Sequence, residues 1–371
     1  MDFTFTEEQE TIAKLARDIL ERRATPERLT ELEAGEIRHD AGLWRELASA
    51  DLLGTALPEQ FGGNGGGFVE LGVLLAEVGW TVAPVPAYAT LVLGADPIAR
   101  HGTAQQRQRY LPHVVAGARM LTAALAEPGR SDPTSPGTTA RRDGPHWRLD
   151  GIKELVPAAQ IADTVLVAAT TDDGEAGLFL LATDAPGVEV RPVATTDHEP
   201  HADVFLDGAT VSEQDRLDAT LDDLHTRALI GLCAIQLGVC ERALRLAADY
   251  TSGREQFGRP IGSFQAVQQR MADAFIDVEA IRWTTWHAAW LVANDRPATE
   301  ARRAARIAKF WAAEAGARVA ATAQQVHGGI GIDVTYPLHR YFLWAKHNEL
   351  ALGPASAQLA AMGSAYSEGN R

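Results

Sequence analysis

Apolar residues recur at helical spacing in two long stretches of the chain, separated by a stretch with strand-like runs. Near the N-terminus, Thr6-Glu7-Glu8-Gln9 has the form of a capping box, and Ile12, Leu15, Ala16 and Ile19 follow on one helical face. The same pattern predicts helices over 41–53, 68–78 and 103–117, the last with Thr103 as N-cap and Gly117 as its stop signal. The glycine-rich run from Phe61 to Gly67 predicts a flexible loop. Residues 1–117 therefore read as an N-terminal helical domain.

The texture changes near residue 118. Gly, Pro, Thr and Asp become frequent, and the apolar runs shorten to Asp163–Ala169, Leu178–Leu181 and Val188–Val190. Turn signals at Asp172-Asp173-Gly174 and Ala185-Pro186-Gly187 separate them. Residues 118–220 read as a central β domain, a small barrel or sandwich. Helical spacing returns over 229–252, 264–294 and 299–327, each long enough for a bundle helix, so 221–371 reads as a helical bundle rich in alanine. The fold class is thus α+β and multidomain, in the order helical domain, β domain, four-helix-bundle-type domain.

Composition narrows the function without naming it. The formal net charge of -15 offers no basic face for nucleic acid. The apolar run Ala228–Cys240 is only about 13 residues and too short to span a bilayer, and the polar N-terminus resembles no signal peptide. Cys233 and Cys240 lie two turns apart on one helical face, too far to bridge, and fit buried small hydrophobes in a reducing cytoplasm. The spacing of Asp222 and His225 occurs once, too few ligands for a bundle metal centre. Trp283, Trp286 and Trp290 recur at helical spacing and read as core or subunit interface, and His339 and His347 as helix decoration. Neither a phosphate-binding loop nor a nucleophile elbow is present in the sequence.

Two multi-residue motifs carry more. The first is Tyr250, then Arg254-Glu255-Gln256-Phe257-Gly258, Ile261, Phe264-Gln265-Ala266-Val267 and Ala272-Asp273. The second is Gln325-Val326-His327-Gly328-Gly329-Ile330-Gly331, continued by Tyr336-Pro337-Leu338-His339-Arg340 and Ala345-Lys346. On a helix–β–helix frame these resemble the signatures of the acyl-CoA dehydrogenase family, and the resemblance covers the whole chain. It implies FAD bound at a subunit interface, with Arg254 reaching the pyrophosphate of a neighbour's cofactor, a role suited to a planar guanidinium. It also implies that Phe257 packs near the adenine half, and that Gln325 and the Gly328-Gly329 backbone approach the same ADP moiety.

The chain departs from the family where the chemistry happens. The α-proton of the thioester needs a carboxylate base, and Leu352, before Gly353, stands at the usual position. The alternative station, near Ala228, is also empty, since no acid occurs from Leu224 to Val239. In the loop Ala126-Glu127-Pro128-Gly129-Arg130-Ser131-Asp132 the family's leading Thr is missing and one residue is deleted. After Gly151-Ile152-Lys153-Glu154, Leu155 replaces an aromatic residue, and Pro157 a hydroxyl residue that would hydrogen-bond the flavin.

The expectation is therefore a base-less subunit that donates FAD-binding residues in trans to a catalytic acyl-CoA dehydrogenase subunit in an α2β2 heterotetramer with two flavins. Acyl-CoA is expected at the partner's site and electron-transfer flavoprotein as acceptor. The sequence resembles the base-less subunit of actinobacterial dehydrogenases acting on CoA esters of sterol side chains, through Phe264–Val267 and the segments His339–Leu343 and Ala351–Gly353. Two alternatives stand beside this. One is a self-sufficient homotetramer with the base relocated to Glu349, three residues before Leu352 on the same helical face; the other is a flavin-free scaffold.

Overall fold

The computed structural model describes residues 4–369. Its helices are α1 (Glu7–Arg23), α2 (Pro26–Glu33), α3 (Ala41–Ser49), α4 (Phe68–Thr81), α5 (Asp96–His101), α6 (Ala104–Val115), α7 (Leu221–Gly253), α8 (Gln265–Ala293), α9 (Ala298–His327), α10 (Leu338–Leu350) and α11 (Ala355–Gly369). Both expected N-terminal caps form. Thr6 and Thr103 accept from the backbone N–H groups of Gln9 and Gln106, whose side chains accept in return from the two threonine N–H groups. α7 begins earlier than its apolar run, because the Thr220 hydroxyl accepts from Asp223 N–H and caps a polar first turn.

The chain forms two compact units. One comprises Glu27–Leu71 and Pro84–Ala228. Its centre is a mixed sheet of β1 (Leu121–Ala124), β2 (Thr139–Asp143), β3 (His146–Val156), β4 (Thr164–Thr171), β5 (Ala176–Ala182), β6 (Val188–Pro192), β7 (Ala202–Ser212) and β8 (Arg216–Leu217). The strand order is β6-β7-β3-β2-β4-β5-β8, with β1 parallel to β4. β3 alternates strictly enough to bury Trp147, Leu149, Lys153 and Val156 on one side. Its apolar members join Val165, Phe179, Val204 and Leu206 in the core of the sheet. The same unit holds a π-helix at Tyr88–Ala95, of which Ala89–Ala95 are all buried.

The other unit comprises the chain up to Pro26, Gly72–Ala83 and everything from Leu229 on. It is a bundle of long alanine-rich helices. α4 and α7 approach so closely that a Cβ on Gly238 would collide with the Ala76 carbonyl. Polar ties close the bundle: Arg17 forks onto Glu77 at 2.7 and 2.8 Å, and the Tyr341 hydroxyl donates to Trp80 O at 2.8 Å. Cys233 and Cys240 are free and buried in it, and burial pushes the Cys233 thiol up to about 12.

Candidate functional site

At the end of α7 the chain turns through a two-stranded hairpin, β9 (Glu255–Gln256) and β10 (Arg259–Pro260). Its tip, Phe257-Gly258, has two consecutive left-handed residues, φ 52° and 77°, the geometry of a tight hairpin turn. Glycine takes that conformation freely, but a left-handed phenylalanine costs roughly 1–2 kcal/mol. Phe257 is also 93% exposed, and its ring meets Phe264 edge-on at 6.2 Å. The base of the hairpin is better held. Arg254 N–H donates to Tyr250 O and Ile261 N–H to Arg254 O, both at 2.8 Å, while the Arg254 side chain faces solvent.

α9 ends in the second motif. Gly328, at φ 65° and ψ -140°, terminates the helix and donates its N–H to the Gln324 and Gln325 carbonyls. That conformation demands glycine. Gly329 has no such need, and a Cβ on either residue would meet nothing within 4 Å. Nothing among the described residues calls for a bare backbone at Gly329, which is exposed. Gln325 is exposed beside it.

The two motifs meet. The His327 ring stacks on Tyr250 with centroids 4.4 Å apart and an interplanar angle of 21°. Its Nδ1 lies 2.7 Å from Ala323 O and its Nε2 3.1 Å from the Tyr336 hydroxyl. In the sequence these residues stand only as parts of the motifs, Tyr250 four residues before Arg254 and His327 directly before the glycine pair.

The β-rich unit carries the second group of positions. Lys153 is fully buried and donates to Glu127 Oε1 at 2.6 Å; the Thr138 hydroxyl donates to the same oxygen, and Gly137 N–H to Oε2. Burial pushes the Glu127 carboxyl up, but the Lys153 ammonium and the Thr138 donors outweigh it and hold it at about 2. These groups pin the loop after β1 to β3. Two residues along β3, Leu155 sits left-handed at φ 51° in a bulge of the β3–β7 ladder, 46% exposed, its N–H donating to Asp203 Oδ1. The Pro157 carbonyl accepts from the buried Thr122 hydroxyl at 2.6 Å. The bulge is built without an aromatic ring or hydroxyl on it.

Leu352 lies beyond the end of α10, at φ 53°, followed by Gly353 at φ 94°. Gln358 Nε2 holds both of their carbonyls, at 3.0 and 3.2 Å. Upstream, the buried Lys309 ammonium caps α10, donating to Asn348 O at 2.7 Å and Glu349 O at 3.0 Å; burial pulls it down to about 8. This corrects one sequence expectation. Glu349 and Leu352 share no helical face, because α10 stops at Leu350 and Leu352 is left-handed. The Glu349 carboxylate is instead ion-paired with Lys346. At the other station Ala228 is fully buried, and its carbonyl accepts from the Tyr88 hydroxyl at 3.2 Å. No carboxylate occupies either position.

Comparisons with known proteins show the family of the chain. The chain matches the acyl-CoA dehydrogenase N-terminal, middle and C-terminal domain families over residues 6–118, 122–209 and 224–366. It is 43% identical over 376 residues to the acyl-CoA dehydrogenase FadE27 of Mycobacterium tuberculosis, covering 99% of both chains. Among solved structures it is similar to a chain of the ChsE4-ChsE5 complex of Mycobacterium tuberculosis, with a TM-score of 0.94 and 42% identity over 99% of each chain. It is also similar to a variant of the Tcur3481-Tcur3483 steroid ACAD, with a TM-score of 0.93 and 47% identity over 98% of this chain and 99% of that one.

Proposed function

Because the chain belongs to the acyl-CoA dehydrogenase family, whose members typically bind FAD and oxidise CH–CH groups, we propose that it is the base-less subunit of a heteromeric enzyme. In this reading it completes the FAD site of a different, catalytic acyl-CoA dehydrogenase chain. The observation that carries the proposal is a contrast between side chains. Arg254, Phe257 and Gln325 stand exposed, as does the Gly328-Gly329 backbone, while Leu352 and Ala228 leave both base stations without a carboxylate.

The residues present fit one half of the cofactor. Arg254 offers a guanidinium for the pyrophosphate. Phe257 offers a ring for the adenine, and Gln325 with Gly328-Gly329 offers a close polar approach to the ADP moiety. They do not fit the other half, since Leu155 and Pro157 supply neither a ring nor a hydroxyl for a flavin. When bound, FAD supplies the hydride acceptor for α,β-dehydrogenation of the thioester. The proton is taken by the partner's carboxylate, because this chain has none to offer at either station.

The assembly is then α2β2 with two flavins, acyl-CoA at the partner's site and electron-transfer flavoprotein as acceptor. The relatives described as steroid ACAD and as a two-component complex favour sterol side-chain CoA esters as substrates. We place the assembly in the cytoplasm; among the described residues no helix is long and apolar enough to cross a membrane.

The test is flavin content. The chain purified alone is expected to be colourless, and the chain co-expressed with its partner to form a yellow, active heterotetramer with one flavin per pair. A yellow, active homotetramer of this chain alone would overturn the reading.

A further inference from the structure

We propose that His327 is a positioning residue that locks the Arg254 hairpin and the Gly328-Gly329 turn to one another, so that both address one cofactor. The inference rests on the trans-donor reading of those two segments. Its geometric part stands on contacts within one compact unit.

A carbonyl oxygen only accepts, so the His327 Nδ1 that lies 2.7 Å from Ala323 O carries the ring's proton. The neutral ring then presents a lone pair at Nε2, and the Tyr336 hydroxyl, 3.1 Å away, donates to it. One tautomer therefore satisfies both contacts.

The ring face completes the lock. It stacks on Tyr250, whose backbone carbonyl accepts from Arg254 N–H. A short path thus runs from the hairpin base through Tyr250 and His327 into the peptide of Gly328. On its far side the loop 328–336 closes over the same ring. A Cβ on Gly331 would meet His327 Cβ at 3.2 Å and Gln324 O at 3.0 Å, so the loop packs tightly on the end of α9 there. Tyr336 N–H donates to Asp333 O at 3.0 Å and holds the loop's return. A histidine that merely filled the core would need neither two opposed hydrogen bonds nor contact with two other segments of the chain.

The test uses three variants of the full chain. His327→Ala removes stack and hydrogen bonds, His327→Phe keeps a stackable ring, and Tyr336→Phe removes one hydroxyl. Amide hydrogen exchange in the lone chain is read over 254–264 and 328–336, and FAD dissociation in the co-expressed complex. His327→Ala is expected to speed exchange about tenfold in both segments, and His327→Phe and Tyr336→Phe in 328–336 only. Nitrogen NMR of the wild-type ring is expected to report the Nδ1–H tautomer. An Nε2–H tautomer, or hairpin exchange unchanged in His327→Ala, would overturn the lock. If His327→Ala does not fold, Tyr336→Phe decides by itself, with unaltered exchange over 328–336 counting against the proposal. Faster exchange with unchanged FAD dissociation would leave the lock standing and sink the trans-donor reading instead.

Discussion

Two kinds of position can be compared in this molecule. At the hairpin after α7 and the turn after α9, the side chains proposed to meet the cofactor stand in solvent. At the bulge in β3 and the turn after α10, the backbone keeps an unusual shape but the side chains have no chemistry to offer. Leu155 and Leu352 are both left-handed, at φ 51° and 53°, a state that disfavours any residue with a Cβ. Each is held there by neighbours: Asp203 under Leu155, and Gln358 and the Lys309 cap around Leu352. Backbone shape is fixed by many contacts and does not depend on one functional group. An exposed side chain such as Phe257 contributes little to folding, so its presence in a left-handed, solvent-facing turn supports the proposed binding role.

The largest effect is expected where the ring-side loop is pinned. Lys153→Met leaves Glu127 buried without its cation and should cost about 3–5 kcal/mol in denaturant unfolding. The acid limb should change with it. The Glu127 carboxyl is held at about 2, below its ordinary 4.5, so its contribution is complete above 4.5 and is lost as pH falls toward 2. Glu127→Gln should flatten that limb. If the variants that still fold support the partner's flavin as well as wild type, the ring-side region serves the fold alone.

The next effects should fall on the cofactor and spare the fold. Arg254→Ala removes a charge-assisted contact and is expected to weaken FAD binding in the heteromer by about 1.5–3 kcal/mol, roughly 10- to 150-fold. Phe257→Ala should cost about 2 kcal/mol in the same assay if its ring is an interface anchor. Both should leave the thermal midpoint of the lone chain nearly unchanged, within about 0.5 kcal/mol, as their exposure requires. Equal losses in the lone chain and the complex would erase the distinction between the two kinds of position.

Sequence made the first kind legible and the second only by omission. Arg254, Phe257 and the Gly328-Gly329 pair are residue types whose order along the chain carries their meaning, and the caps at Thr6 and Thr103 are equally local signals. What could not be read depends on contacts that the apolar pattern does not show. The start of α7 at Leu221 is set by a Thr220 cap ahead of a polar turn, outside the apolar run that marks the helix. β3 buries Lys153 among apolar neighbours because Glu127 waits 26 residues upstream, and no local pattern announces that partner. The π-helix at Tyr88–Ala95 lies in a uniformly buried stretch with no periodicity to betray it. Glu349 was assigned the face of Leu352 because spacing alone cannot show that the helix stops between them.

The smallest expected effect separates shape from chemistry most directly. Leu352→Glu returns a carboxylate to the usual base position on a backbone already left-handed and already held by Gln358. Its side chain is only partly buried, and the change should move stability by no more than about 0.5 kcal/mol. The lone variant is nevertheless expected to turn over no acyl-CoA, because Leu155 and Pro157 still offer nothing to a flavin ring. Measured turnover by the lone Leu352→Glu chain would mean that the ring-side contacts suffice after all, and that the missing base alone keeps this subunit silent. Turnover only after Leu155→Trp and Pro157→Thr are added would mean that the chain lacks base and ring contacts together, on a backbone able to hold both.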